Sequence, residues 1–184
     1  EETIIFMLFL YDFCSWFLEM IKPGYQQPID KATFDKAIEM LENNLKLLHP
    51  FMPFLTEEIW QHIAERTPEQ ALIVAEYPKM TSVNTALIAD FDFATDVISG
   101  IRTIRKDKNI PFKDVIELRV VNNEKASTYF DSVITKLGNV ASLEYVTEKV
   151  DGALSYRVKS NEYFIPITGN IDVEAEIAKL TEEL

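Results

Sequence analysis

Apolar residues recur at helical spacing through the first half of the chain. Residues 3–21 are apolar nearly all round, which predicts a helix that is buried on several sides. The Lys-Pro-Gly sequence at 22–24 ends that pattern, and Asp30 is placed to cap a second helix. The second helix carries one continuous apolar stripe. The stripe consists of Phe34, Ile38, Leu41, Leu45 and Leu48.

A tight corner is predicted between the second and third helices. Pro50 ends the incoming helix, because proline lacks a backbone N–H donor. Thr56 is predicted to cap the outgoing helix, which extends to about Arg66. Three helices joined in this way predict a helical bundle. Its core is predicted to take in the large apolar residues of the corner, Phe51, Met52, Phe54, Leu55, Ile59 and Trp60.

A long helix is predicted after a short irregular stretch. Residues 71–75 are predicted to be an extended crossing, and the helix then runs from Asn84 or Thr85 to about Lys108. Glycine inside a helix costs about 1 kcal/mol relative to alanine, so we expect close packing at Gly100. The inner face of this helix is predicted to contain Leu87, Phe91, Ala94, Ile98, Ile101 and Ile104.

The apolar period changes from helical to alternating after Pro111, which predicts a sheet. A helix over 125–137, ended by Gly138, interrupts the strands. Positions 171–184 then repeat apolar residues at heptad spacing, as in a coiled coil. The predicted strands are 115–121, 143–147, 154–158 and 163–167, the last two joined as a hairpin.

These patterns together predict a mainly α protein with an α+β part. The predicted order is an α-helical bundle over residues 1–110, a small α+β domain over 111–170 and the start of a coiled-coil arm over 171–184. The chain enters an apolar run at once and its coiled-coil pattern is short. We therefore expect it to be a fragment of a longer protein.

Composition narrows the classes of function that the chain could have. The 184 residues are 47% hydrophobic and carry a formal net charge of -12, which predicts a folded protein and argues against a general nucleic-acid binder. The single cysteine, Cys14, lies in an apolar run and is predicted to be a buried thiol, as in a cytoplasmic protein. Two histidines without clustered cysteines predict no metal site. No catalytic residues, phosphate-binding glycine loop or membrane span are predicted.

The only local excess of positive charge lies near the end of the long helix. It consists of Arg102, Arg105, Lys106 and Lys108. Spacings of three and four residues put the first three of these on one helix face. Arginine forks and lysine ammonium groups suit phosphate oxygens, so the cluster is the candidate RNA-binding site. The alternative is a solvated face that pairs with nearby acids.

Several stretches of the chain resemble one family. The corner from Leu47 to Gln61 resembles the helix corner in the anticodon-binding bundle of class I aminoacyl-tRNA synthetases for aliphatic amino acids. It shares two prolines, two aromatic residues, a Thr-Glu-Glu sequence and Trp60. Three further stretches resemble the valyl-tRNA synthetases in particular. They are 12–23, 101–111 and 171–184.

The resemblance implies the C-terminal, anticodon-binding part of an enzyme that attaches valine to its tRNA. Its implied partners are the tRNA for valine and the catalytic and editing domains upstream in the same chain, with no membrane and no DNA. ATP with magnesium is implied for the parent enzyme, and no cofactor or active site for this stretch. Two alternatives remain: the equivalent part of an isoleucine or leucine enzyme, or a helical protein-interaction module without RNA binding.

Overall fold

The computed structural model describes residues 6–79, 82–121 and 127–166. The chain forms two compact units, Glu1–Ser82 and Val83–Leu184. The described part of the first unit is helical, and the second combines helices with a four-stranded sheet, which confirms the α+β class.

The two units divide the chain differently from the predicted domains. The long helix shares a unit with the sheet, whereas the predicted boundary at residue 110 groups it with the bundle. The predicted boundary at residue 110 stays a prediction. The predicted coiled coil at 171–184 lies outside the described residues.

Helix α1 has π-type hydrogen bonding over Leu8–Phe17 and α-type over Leu18–Ile21. It ends before Lys22, as predicted. Within the described unit it is buried along one side only, where Phe13 and Trp16 lie three residues apart. The prediction of burial on several sides is therefore wrong for this unit. The exposed apolar residues of the segment are Phe6, Met7, Leu10, Tyr11 and Leu18.

Helix α2 spans Lys31–Leu48 and begins where the sequence predicts. The Asp30 carboxylate accepts a hydrogen bond from the N–H of Thr33 at 2.9 Å, which satisfies a donor that the first turn leaves open. The predicted apolar stripe is buried at Leu45 and exposed at Phe34. Only the second half of the stripe therefore contributes to the core of the unit.

Helix α3 spans Pro53–Ile63, three residues earlier at its start than predicted. Proline is favoured in a first turn because its missing N–H has no partner there in any helix. Thr56 is consequently inside the helix, and the prediction that it caps α3 is wrong. Its buried hydroxyl donates instead to the carbonyl oxygen of Met52 at 2.8 Å and lies 2.7 Å from Nδ1 of His49.

The core of the first unit forms around Trp60. Its ring packs with Leu45 and Leu72, and its indole N–H donates to the carbonyl oxygen of Gln70 at 2.9 Å. The guanidinium of Arg66 lies over the ring, 3.8 Å from its centre. Trp60 thus joins α2, α3 and the segment after α3, as the bundle prediction requires.

The apolar corner is less buried than predicted. The buried face of α3 runs through Thr56 and Trp60, which are four residues apart. Phe54 and Leu55 lie off that face and are exposed, and Phe51 before the helix is exposed as well. The prediction that these three residues fill the core is wrong.

Two short 3-10 turns follow α3, at Pro68–Gln70 and Leu72–Val74. The prediction of an extended crossing at 71–75 is therefore wrong. The Glu57 carboxylate accepts the N–H of Leu72 at 2.8 Å and holds the start of the second turn against α3.

The second unit begins with helix α4, Thr85–Asp107. The side-chain oxygen of Asn84 accepts the N–H of Leu87 at 3.1 Å, which confirms the predicted start. Ile98 and Ile101 of the predicted inner face are fully buried, whereas Leu87 is exposed. The helix is therefore buried over its second half.

The sheet of the second unit has the order β2-β1-β4-β3. Strands β1 and β2 are parallel and joined through helix α5, Asp131–Gly138, and the other pairs are antiparallel. All four predicted strands are confirmed. Helix α5 begins at Asp131, later than the predicted start at 125, and ends one residue later than predicted, because Asn139 caps it with a positive φ of 50°. The strands are Ile116–Val121, Val140–Val146, Ala153–Val158 and Asn161–Pro166.

Helix α4 approaches strand β3 closely at Gly100. A Cβ atom at that position would overlap the ring of Tyr156. The hydroxyl of Tyr156 donates to the carbonyl oxygen of Val97 at 3.1 Å and holds the ring against the helix. The predicted close packing at Gly100 is confirmed.

Candidate nucleic-acid interface

The four basic residues of the predicted site lie at the C-terminal end of α4, but they do not share one environment. Arg102 and Lys106 are exposed, and Lys108 is half-buried. Arg105 is only 4% exposed. The three residues predicted to share a helix face therefore differ in exposure, because Arg105 is buried, and their role in RNA binding stays a prediction.

Arg105 is a buried connector. Its Nη1 donates to the carbonyl oxygens of Pro111 and Asp114 at 3.0 and 2.8 Å. Its Nη2 donates to those of Gly138 and Asn139, both at 3.1 Å. Burial lowers the pKa of the guanidinium, and the Asp114 carboxylate opposes that shift. Arginine nevertheless stays protonated, so a full positive charge remains under this surface.

The loop after α4 is held in one conformation by backbone and side-chain contacts. Asn109 takes a positive φ of 51°, and the N–H of Ile110 then donates to the carbonyl oxygen of Arg105 at 2.8 Å. The side-chain amide of Asn139 donates to the carbonyl oxygen of Phe112 at 2.6 Å. Ile110 is buried and anchors the loop, whereas Phe112 is 59% exposed.

These elements form an open groove of about 420 Å³, which we call the α4 groove. The exposed residues Arg102 and Lys106 contribute cations, and Phe112 contributes an exposed aromatic ring. The buried Arg105 guanidinium lies over the ring of Phe112, 5.6 Å from its centre. The groove is lined by Arg102, Arg105, Lys106, Asn109, Ile110, Pro111 and Phe112.

Sequence reasoning did not single out Phe112 as part of the site and did not predict that Arg105 is buried. Arg105 follows the buried residues Ile98 and Ile101 by seven and four positions, so helical spacing alone puts it on the buried face. The signal for Phe112 is weaker. An aromatic residue directly after Pro111 belongs to no apolar period, and such a residue is a candidate for surface exposure.

The described part of the chain gives little support for metal binding, membrane insertion or thiol chemistry. Within residues 6–79, 82–121 and 127–166, His, Cys, Asp and Glu side chains form no group of three or more suited to a metal ion. No helix in those same ranges is long and apolar enough to cross a membrane. Cys14 is half-buried, and burial raises the pKa of its thiol, which disfavours the reactive thiolate.

Comparison with known families places this geometry in context. The family of anticodon-binding domains of tRNA ligases matches residues 3–121, from α1 through β1. The chain belongs to this family. The match includes the end of α4 and the whole loop that forms the α4 groove. The resemblance drawn from the corner sequence is confirmed.

The chain is similar to several valine–tRNA ligases. The chain is 61% identical to a valine–tRNA ligase of Christiangramia forsetii over 94% of its length, and 48% identical to one of Phocaeicola vulgatus over 98%. A valine–tRNA ligase of Bacillus subtilis is 32% identical over 94% of the chain. The chain spans about a fifth of the length of these relatives, 20%, 20% and 21% respectively.

Proposed function

We propose that this chain is the tRNA-binding portion of a valine–tRNA ligase and that it docks the anticodon stem and loop of the tRNA for valine. The observation that carries the proposal is the match to an anticodon-binding family, combined with valine–tRNA ligases as relatives along nearly the whole chain. These relatives favour the valine enzyme over the isoleucine and leucine alternatives. They also favour it over an interaction module without RNA binding.

In this proposal the chemistry lies outside the chain. The parent enzyme attaches valine to its tRNA with ATP and magnesium, using catalytic and editing domains upstream, and works in the cytoplasm. The chain contributes binding energy at a distance from the reacting atoms. Such remote binding energy can orient the reacting end of a large substrate.

The RNA contacts are proposed for Arg102, Lys106 and Lys108. Arg102 and Lys106 are exposed on the last turns of α4, where their charges can meet phosphate oxygens. Arg105 takes a different part: its guanidinium is occupied by four carbonyl oxygens and it positions the loop. We retain 1–110, 111–170 and 171–184 as the proposed functional divisions.

The overall acidity of the chain fits selective binding of RNA. A net charge of -12 gives arbitrary nucleic acids little attraction. A local pair of cations beside a shaped loop can then admit one RNA where general attraction is absent. We therefore expect modest affinity with discrimination between tRNAs.

The first experiment measures binding of the chain to three RNAs at two salt concentrations. The RNAs are the tRNA for valine, the same tRNA with a changed anticodon, and the tRNA for isoleucine. We expect preference for the first. Lys106→Glu should weaken its binding about tenfold and reduce the salt dependence by about one phosphate contact.

Lys31→Glu is the matched control, because Lys31 is an exposed lysine at the start of α2, where an acidic residue favours the helix. It should leave RNA affinity unchanged. Equal weak binding of all three tRNAs would overturn the proposal of anticodon docking. If the Lys106 and Lys31 variants have equal effects on RNA affinity, the α4 groove is not part of the RNA-binding surface.

A further inference from the structure

We infer that the exposed ring of Phe112 is a stacking surface for an unpaired base, and that the α4 groove binds a single-stranded segment of RNA. The inference rests on the proposed function and deepens it, because it assigns an aromatic contact that charge alone does not supply. The base stacks on Phe112, and its flanking phosphates lie at Arg102 and Lys106.

The first argument is that the backbone carrying an exposed aromatic ring is held in place. Phe112 is 59% exposed, yet its carbonyl oxygen accepts the side-chain amide of Asn139 at 2.6 Å. The N–H of Asp114 donates to the carbonyl oxygen of Pro111 at 3.1 Å and closes a turn around Phe112. The backbone that carries the ring therefore loses little conformational freedom when a ligand binds.

The second argument concerns the two faces of the ring. The buried guanidinium of Arg105 lies over the Phe112 ring, 5.6 Å from its centre. The exposed part of the ring is open to a second flat group. Every base presents such a face, and base–aromatic stacking is a general device for binding single strands.

The third argument is charge complementarity. Arg102 and Lys106 line the same groove as Phe112, one helical turn apart. The buried charge of Arg105 adds to the positive potential there. A nucleotide meets both requirements, since it has a flat apolar base and an anionic phosphate. An acidic peptide meets only the second.

The same reasoning selects single-stranded over duplex RNA. In a duplex the base faces are covered by neighbouring base pairs, so a protruding ring cannot reach them. An unpaired nucleotide can turn its base outward and keep its phosphates at the cations. A duplex of equal charge should therefore bind without engaging Phe112.

The test uses the tRNA for valine carrying 2-aminopurine, a fluorescent base that reports stacking, at each unpaired anticodon-loop position in turn. Binding to the chain should change the fluorescence at one or two positions. Phe112→Leu should abolish that change and weaken affinity at least about fivefold, a ratio that corresponds to about 1 kcal/mol. Phe112→Tyr should restore both.

Tyr129→Leu is the matched control, because Tyr129 is 70% exposed and is not part of the groove lining. It should leave the fluorescence change and the affinity unaltered. Normal tRNA affinity with no effect of Phe112→Leu on either readout would overturn this inference and leave the proposed function standing. Absence of tRNA binding by the unaltered chain would overturn both.

A competition experiment decides the kind of ligand. An unpaired RNA oligonucleotide should displace the labelled tRNA better from the unaltered chain than from Phe112→Leu. An RNA duplex should compete equally with both. Polyglutamate at the same charge concentration tests for an acidic peptide. If it displaces the labelled tRNA as strongly as the oligonucleotide does, the inference is overturned in favour of an acidic peptide.

Discussion

The guanidinium of Arg105 connects three parts of the second unit: the end of α4, the loop after it and the end of α5. It makes four hydrogen bonds, all to backbone carbonyl oxygens. A buried charge is tolerable here because these oxygens replace the water that the two terminal nitrogens of the guanidinium lose, although its buried Nε has no hydrogen-bond partner among the described residues. Arg105 therefore stabilises the loop whose outer side forms the α4 groove.

Arg105→Lys should lower the free energy of unfolding of the second unit by about 2 kcal/mol. A lysine ammonium group has three donors at one point and cannot reach both pairs of carbonyl oxygens, so some remain unsatisfied. Urea unfolding followed by far-UV circular dichroism measures the loss.

Two controls accompany this variant. Arg102→Lys changes an exposed residue and should stay within about 0.5 kcal/mol. Both tryptophans, Trp16 and Trp60, lie in the first unit, so tryptophan fluorescence should report an unchanged transition there. Equal stability of the Arg105 and Arg102 variants would contradict the connecting role of Arg105.

Single residues differ in how far local sequence predicts them. Asp30 was predicted as a helix cap and Asn84 or Thr85 as the start of the long helix, and the side chains of Asp30 and Asn84 both accept a backbone N–H of the first turn. Capping depends on neighbours within three positions, which the sequence contains. Arg105 and Phe112 depend on Asn139, a residue about thirty positions away. Their roles follow only from how the chain folds back.

At the scale of elements, α4 organises the second unit. It contacts α5 through residues such as Ile101, which lies against Gly138, and β3 through Gly100. The end of the same helix carries the exposed cations. Burial of the middle of α4 thus sets the position of the groove at its end.

Gly100→Ala should destabilise the second unit by about 1–3 kcal/mol, although the same change in an exposed helix stabilises by about 1 kcal/mol. The new methyl group would overlap the ring of Tyr156, which must then move and lose its hydrogen bond to Val97. Thermal unfolding of the chain measures the change.

A double-mutant cycle tests the cause. In a Tyr156→Ala background the overlap is absent, so Gly100→Ala should become stabilising through helix propensity. Ser99→Ala, next to Gly100 on the exposed side of the helix, should change stability by less than about 0.5 kcal/mol. A destabilising Gly100→Ala in both backgrounds would show that the Tyr156 contact is not the reason.

At the scale of the whole molecule, acidic residues outnumber basic ones by 30 to 18, and stability should depend on pH through those that are paired. Glu162 on β4 is one of them. Its carboxylate lies 3.0 Å from Nζ of Lys149 and 2.9 Å from Nη2 of Arg157. The hydrogen bond from Lys149, together with the charge of Arg157, lowers the pKa of Glu162.

Because the pKa of Glu162 is lower in the folded chain, its contribution to stability is present above the ordinary glutamate pKa and disappears as the pH falls through the lowered value. Glu162→Gln should therefore lower Tm at pH 7 and have little effect near pH 3. Calorimetry at the two pH values measures the difference. Glu148→Gln, in the exposed segment before Lys149, should leave Tm unchanged at both. A Glu162→Gln effect that is equal at pH 7 and pH 3 would show that its ionisation is not involved.

Local pattern was sufficient for most helices and strands of this protein and for its family, although the extended crossing predicted at 71–75 was wrong. Helical and alternating periods, caps and prolines act within a few residues, and the corner sequence and its neighbours predicted a family that the comparisons confirm. Burial was only partly available from the same pattern. Phe54 is apolar and yet exposed, whereas Arg105 is charged and yet buried. The exposure of each depends on which segments pack against its helix face. The residues that line the α4 groove lie within 102–112, and hydrogen bonds with Gly138 and Asn139 at the end of α5 hold them in place. Tertiary packing therefore decided which side chains an RNA could reach.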